Sequence, residues 1–290
     1  MAENKKKRVI KTIIIVVAIL LAVLMLATAF YGAIAALVFI VVGFFVGLIT
    51  ILILSSSEVS YGTQSIHGGV MITYVSGYFS NITIPEEIDG ETVLGIAESA
   101  FSDMEILESV ELPSTIKTIE ANAFSGCTSL KEITVPDSCE YIGDYAFYGC
   151  TDLEIVRIGD GVRYIGEGAF ADCSRLEQVY LGDGLEEIGT QAFAYCTSLN
   201  YVDLGNSVEK IGSSAFLSCT ALQRIEINYS VKEISEGAFW MCDNLTNVRF
   251  ETISGWTANG VSVPYADLAV ETSAAELLMS TYHDAVWLNK

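Results

Sequence analysis

Thiols are the most regularly placed reactive groups in this chain. Cys127, Cys150, Cys173, Cys196, Cys219 and Cys242 fall 23 residues apart, and Cys139 stands alone outside that series. Thiols bind zinc or exchange disulfides when they occur as C-x-x-C pairs, and no such pair exists. Met104 takes the place of the cysteine at the head of the series. A site that accepts Met is apolar, so the thiols are expected as small buried hydrophobes. Disulfides between adjacent repeats stay open for a chain exposed to an oxidising compartment.

The other reactive groups are sparse. The chain has two histidines, His67 and His283. His283 beside Asp284 is a sequence neighbour pair and not a dyad, and Gly68-Gly69 is too little for a phosphate-binding loop. No nucleophile, base and orienting group recur together, so no enzyme and no cofactor are expected. Asp137, Asp160, Asp183 and Asn206 form a ladder of oxygen donors, the kind of group that hard cations such as calcium seek. No column completes a calcium ligand set, and Asx side chains bonding their own backbone in turns account for the ladder. No metal is expected.

These groups are positioned by a repeat of 23 residues between Val93 and Phe250. Its marker is an Ala-Phe pair ending at Phe101, Phe124, Phe147, Phe170, Phe193, Phe216 and Phe239. A fixed period of this size signals a solenoid. Ile96, Ile119, Ile142, Ile165, Ile188, Ile211 and Ile234 lie five residues before each Phe. A Leu lies six residues after it, from Leu107 to Leu245. Apolar residues recur nine and eleven positions after it, from Val110 and Leu112 to Val248 and Phe250. Every such column points inward, and the last two alternate as a short strand. Parallel strands in adjacent repeats stack about 4.8 Å apart.

The pattern Ile165-Gly166-x-x-Ala169-Phe170-x-x-Cys173-x-x-Leu176-x-x-Val179-x-Leu181 resembles the BspA-like leucine-rich repeat family of the TpLRR type. Seven rungs over residues 93–250 carry it. Ile82-Thr83-Ile84-Pro85 resembles the family's lead-in to a first repeat. Departures are Met104 for Cys, Ala97, Glu120 and Ser235 for Gly, and Cys139 for an aliphatic residue. The resemblance implies a right-handed, curved solenoid used for binding, often at cell surfaces of bacteria or protists.

Binding then falls to the columns that the core leaves free. Eight and ten residues after each Phe, the outward positions include Ile155, Arg157, Tyr180, Tyr201, Asp203, Arg224, Glu226 and Arg249. Aromatic and Arg side chains are enriched in binding hot spots. The competing explanation is cross-strand pairing, for example Glu226 with Arg249.

The remaining segments divide the 290 residues as follows. Residues 1–11 are basic. Residues 12–54 hold no charged side chain. As one helix these would run roughly 64 Å, twice the ~30 Å bilayer core, so two crossings joined at Tyr31-Gly32 fit better. Lys5, Lys6, Lys7, Arg8 and Lys11 place the N-terminus in the cytoplasm, and two crossings return the chain there. Cleavage of a signal peptide after Ala27-Thr28-Ala29 would instead leave one span and put the repeats outside. Residues 55–92 form a short linker and a β-hairpin or meander capping the solenoid. Residues 251–290 form a C-terminal cap, with a capping box at Ser273-Ala274-Ala275-Glu276 opening a helix and with Trp256 and Trp287 packed inside. Beyond residue 58 the chain carries 34 acidic and 10 basic side chains. That surface repels phosphate backbones and excludes nucleic acid as a partner. The sequence therefore points to a membrane-anchored repeat module that binds a protein or glycan. The alternative is an acidic spacer that scaffolds other membrane proteins through its hydrophobic segment.

Overall fold

The computed structural model describes residues 59–289. The expected membrane segment at 12–54, its basic flank and residues 55–58 lie outside the described residues. Among the described residues no helix is long and apolar enough to cross a membrane. Tyr61–Val75 and the chain from Asn81 onward form one compact unit.

That unit is a mainly-β solenoid with two parallel ladders. The face ladder uses the strands that the alternating columns predict. Asn81–Thr83, Ser109–Glu111, Glu132–Val135, Ile155–Ile158, Gln178–Tyr180 and Tyr201–Asp203 make one sheet, and Arg224–Ile227 pairs separately with Asn247–Phe250. Equivalent residues pair in register, as Val156 does with Val179 and Arg157 with Tyr180. Inward side chains such as Val156, Val179 and Ile225 are buried, while the residue after each faces solvent. The second ladder is built on the Ile column by two-residue strands, Thr118–Ile119, Tyr141–Ile142, Tyr164–Ile165, Glu187–Ile188, Lys210–Ile211 and Glu233–Ile234. The sequence marks these isoleucines as core but gives no alternation around them, so this ladder is not legible in it.

The solenoid has eight turns where the repeat counts seven. Ile72 pairs in parallel with Ile96, and Ile82 with Val110, so residues expected to form only a cap build a further turn. A hairpin hides this turn from the period. Glu87–Ile88 runs antiparallel to Glu91–Ile96, and Asp89 and Gly90 both take positive φ. This is the two-residue turn that Asp-Gly favours, and it lengthens the first turn beyond 23 residues. The strand Ser60–Ile66 lies beside Gly69–Ser76 at the sheet's end.

The Ala-Phe corner closes each turn. The seven Phe rings stack with centroids 4.7–5.4 Å apart and interplanar angles of at most 20°. Burying each ring is worth about 1.5–3 kcal/mol. The backbone joins the stack, with Phe147 N–H donating to Ala169 C=O at 2.7 Å and its equivalents doing the same. Positions two residues before and after each Phe have positive φ, from Ser99 and Asp103 to Gly237 and Met241. Two left-handed residues per corner turn the chain sharply while its N–H groups stay aimed at the next turn.

The C-terminal cap differs in detail from expectation. Its helix runs Glu271–Glu276 and starts after Val270 with no side-chain cap, so Ser273 does not open a capping box. Extended backbone at Val270 sets the start three residues early. The helix continues as a π-helical turn, Leu277–Thr281, and it covers the open edge of Asn247–Phe250. Trp287–Asn289 closes the second ladder by pairing antiparallel with Glu233–Ile234. Trp256 and Trp287 are buried against Phe250.

Candidate binding cleft

The outward residues of the face ladder meet in two groups. The Arg157 guanidinium lies over the Tyr180 ring at 5.5 Å, and the Tyr180 and Tyr201 rings are 5.5 Å apart. Tyr180 hydroxyl donates to Gln178 Oε1 at 2.9 Å, and Arg157 lies 3.8 Å from Glu132. The second group lines a cleft of about 600 Å³ and contains Tyr201, Asp203, Arg224, Glu226 and Arg249. Here Arg249 donates to Glu226 at 2.6 Å, the cross-strand pair anticipated as the competing explanation. Tyr201 belongs to both groups. Ile155, Arg157 and Tyr180 lie outside the cleft. Ile155 borders a smaller hollow with Asn81 and Lys131, and Arg157 borders another with Asp137.

The cleft sits where the face ladder breaks. No strand pairing joins Tyr201–Asp203 to Arg224–Ile227, although both flanking stretches are paired. Twelve residues after each Phe lies a column occupied by Pro113, Pro136, Gly159, Gly182, Gly205, Asn228 and Glu251. A Cβ at Gly159 or Gly182 would come within 2.5 Å of backbone atoms of the preceding turn. The turns approach closely at these glycines, yet Glu251 in the same column carries a side chain and still donates its N–H to the Ile227 carbonyl at 2.9 Å. Asn228 brings a Cβ and an amide into that space, nearly fully buried, and its Nδ2 donates to the Gly205 carbonyl. This side-chain bond joins the two turns where no strand pairing does. The second ladder remains paired behind it, Lys210–Ile211 joining Glu187–Ile188 and Glu233–Ile234.

Asn228, Asn247, Glu251 and Glu271 also line the cleft, and none stood out from the outward columns alone. Asn228 follows Gly159, Gly182 and Gly205 in its column, a change visible in the sequence. Glu271 carried no such signal, because the cap lies outside the register.

The thiols do more than fill space. Cys127, Cys150, Cys173, Cys196, Cys219 and Cys242 each reach the carbonyl of the Phe 26 residues upstream, at 3.1–3.3 Å. Met104 heads the column, before any Phe carbonyl of the series exists for a thiol to meet. All seven cysteines are free and buried. Burial pushes the thiols up, Cys139 to about 11 and Cys242 to about 12, with Cys196 and Cys219 well above their ordinary value. Thiolate chemistry at neutral pH is therefore suppressed.

The Asp ladder bonds across turns and not to its own backbone as expected. Asp160 N–H donates to Asp137 Oδ1 at 3.1 Å, Asp183 N–H to Asp160 Oδ1 at 2.9 Å, and Asn206 Nδ2 to Asp183 Oδ1 at 2.7 Å. Each carboxylate thus answers an N–H donor of the following turn. Among the described residues no group of three His, Cys, Asp or Glu is placed to hold a metal ion.

The BspA type leucine rich repeat region matches residues 73–200 and 165–258, more than half of the chain. No curated protein matches. Among solved structures, a leucine rich cell surface protein from Faecalibacterium prausnitzii A2-165 is 32% identical, with a TM-score of 0.61 over 69% of this chain and 55% of that one. A leucine-rich repeat protein from Eubacterium ventriosum is 24% identical, with a TM-score of 0.54 over 62% of this chain and 49% of that one. The T. pallidum leucine rich repeat protein TpLRR is 30% identical over 56% of this chain and 87% of its own, with a TM-score of 0.48. The chain thus spans about half the length of the first two proteins. Its repeat, its stacked corners and its match to the family profile make this chain a member of the BspA-type leucine-rich repeat family.

Proposed function

We propose that the protein is a binding module that engages a protein partner, or less favourably a glycan, through the face ladder around the cleft. The supporting observation is that Tyr201, Asp203, Arg224, Glu226 and Arg249 converge on one concavity, with Tyr180 and Arg157 continuing the surface beside it. A concave patch of aromatic and Arg side chains is where binding energy concentrates. Repeat solenoids present such faces because their core columns leave the outward columns free to vary.

Residues 12–54 tether this module to a membrane in the same proposal. Their support is the uncharged apolar run behind a basic flank. The F. prausnitzii relative is a cell surface protein, which favours the arrangement with the repeats outside. Protease protection on intact cells tests the side, since cleavage within the repeats from outside the cell requires external exposure.

Binding itself is tested with the full chain carrying Tyr180→Ala, Tyr201→Ala and Arg224→Ala together. Capture of the partner from surface extracts is lost while the melting temperature hardly moves. Capture that persists in this variant removes the face from consideration.

A further inference from the structure

The charges of this acidic protein are unevenly placed. Beyond residue 58 the chain carries 34 acidic and 10 basic side chains, yet residues 59–85 hold none of them. The fold does not impose this gap. Asn81 and Thr83 occupy columns in which later turns place Glu132 and Arg157. The gap falls on one end of the sheet, where Ser60–Ile66 is the outermost strand.

That strand is also bare. Thr63, Gln64, Ser65 and Ile66 are exposed in succession, so neither face of this stretch is covered. Next to them a tyrosine rests on the strand. A Cβ at Gly62 would come 1.9 Å from the Tyr74 ring, so the glycine makes room for the ring, and Tyr74 is still 58% exposed. A carboxylate does reach the strand, where Ser65 Oγ donates to Glu91 at 3.4 Å, but it does so three residues past Gly62.

The place of this strand in the chain points to its occupant. Six residues separate Tyr61 from the uncharged run that ends at Leu54. Such a length spans at most about 25 Å. With residues 12–54 in a bilayer, the strand cannot stand further than that from the hydrocarbon. Tyrosine is enriched at membrane–water interfaces, where its ring sits at the headgroup level. An acidic surface is repelled by anionic headgroups, and an uncharged one escapes that cost. The tether also raises the effective concentration, so a weak interfacial affinity suffices. A second copy of this chain has no such tether and brings its own acidic surface close.

We propose that Tyr74 and the uncharged strand beneath it form a docking surface for the lipid headgroup layer. This rests on the reading of residues 12–54 as a membrane tether and adds the surface by which the repeat domain meets the bilayer.

The test uses the full chain in phosphatidylcholine nanodiscs, one chain per disc, with a fluorescent maleimide on an introduced cysteine. All seven native thiols are buried, so the label reports the introduced position. Thr63→Cys labels the uncharged strand. Val261→Cys labels an exposed position on the strand at the opposite end of the sheet. Lipid with a nitroxide on its headgroup quenches the Thr63 label and leaves the Val261 label bright. Adding Tyr74→Asp removes most of the Thr63 quenching, and Tyr74→Phe retains it. Melting temperatures confirm that each variant is folded.

Chains that enter the discs with both labels equally bright overturn the docking surface and leave the tether standing. Chains that stay out of the discs overturn the tether and the inference with it. Thr63 quenching that Tyr74→Asp leaves intact reports the reach of the tether alone and overturns the docking surface. A Thr63 label that is unquenched in single-chain discs but shielded from aqueous iodide when two chains share a disc assigns the strand to a second copy and overturns the lipid occupant.

Discussion

Cys173 donates its thiol to the backbone carbonyl of Phe147, one turn earlier, at 3.3 Å. The same relationship repeats from Cys127 to Cys242, so the Phe stack and the Cys column form one cross-linked strip through the core. A thiol suits this position because it is small and apolar and still carries a weak donor.

Replacing Cys173 with Ala deletes the sulfur and leaves the second lone pair of the Phe147 carbonyl without its thiol. A loss of about 1–2 kcal/mol is expected in urea denaturation, from a small cavity and a weak bond. The native protein should also fail to react with a thiol-specific reagent until it is unfolded. Rapid labelling of Cys173 in the folded state would contradict its burial.

The raised thiols fix the direction of a pH dependence. A thiol with a folded pKa above its unfolded value keeps its proton in the folded state while the unfolded chain releases one. The stability it contributes is intact below pH 9.0, and it falls as pH rises towards about 11 for Cys139 and about 12 for Cys242. Each such group steepens the alkaline loss by up to about 1.4 kcal/mol per pH unit. Denaturation midpoints at pH 8 and pH 10.5 measure the slope, and Cys139→Val should make it shallower.

Gly161 and Gly184 separate the demands of space from those of backbone angle. A Cβ at Gly161 would lie 1.9 Å from the Asp137 carbonyl oxygen, and one at Gly184 would lie 1.8 Å from that of Asp160. Gly149 has positive φ but open space around the added atom. Gly149→Ala should therefore cost about 1–2 kcal/mol from conformation alone. Gly161→Ala should cost about 3 kcal/mol or more, because the backbone of the preceding turn has to move. Equal costs in thermal melts would show that the turns separate more readily than the close approach implies.

Arg249 and Glu226 make the shortest ion pair bordering the cleft, yet both side chains are more than half exposed. Exposed pairs contribute roughly 0.2–1 kcal/mol. A double-mutant cycle with Glu226→Ala and Arg249→Ala should return a coupling in that range, shrinking in 0.5 M salt. A larger and salt-insensitive coupling would assign this pair a structural role rather than a place in a binding surface.

Much of the fold was legible because a repeat turns tertiary neighbours into a fixed sequence spacing. Once Phe147 and Phe170 are aligned, Val156 must meet Val179 and Cys150 must lie beside Cys173. The eighth turn was hidden because the Asp89-Gly90 hairpin displaces Ile82 from the common spacing. The second ladder was hidden because two-residue strands at Tyr141–Ile142 and its equivalents are too short to alternate. The capping box at Ser273 failed because the extended backbone at Val270 starts the helix earlier.

The sequence by itself determined the period, the inward columns and the set of outward residues from which a binding face is drawn. It did so because each turn rests on a near copy of itself, so composition at one spacing specifies contact. Only the tertiary structure decided which outward residues converge. Tyr201, Asp203, Arg224, Glu226 and Arg249 line one cleft where no strand pairing joins Tyr201–Asp203 to Arg224–Ile227. It also decided which carboxylates the basic side chains reach, Arg175 meeting both Asp152 and Glu154 and Arg157 meeting Glu132. Both outcomes depend on how closely adjacent backbones approach, a distance that no spacing along the chain records.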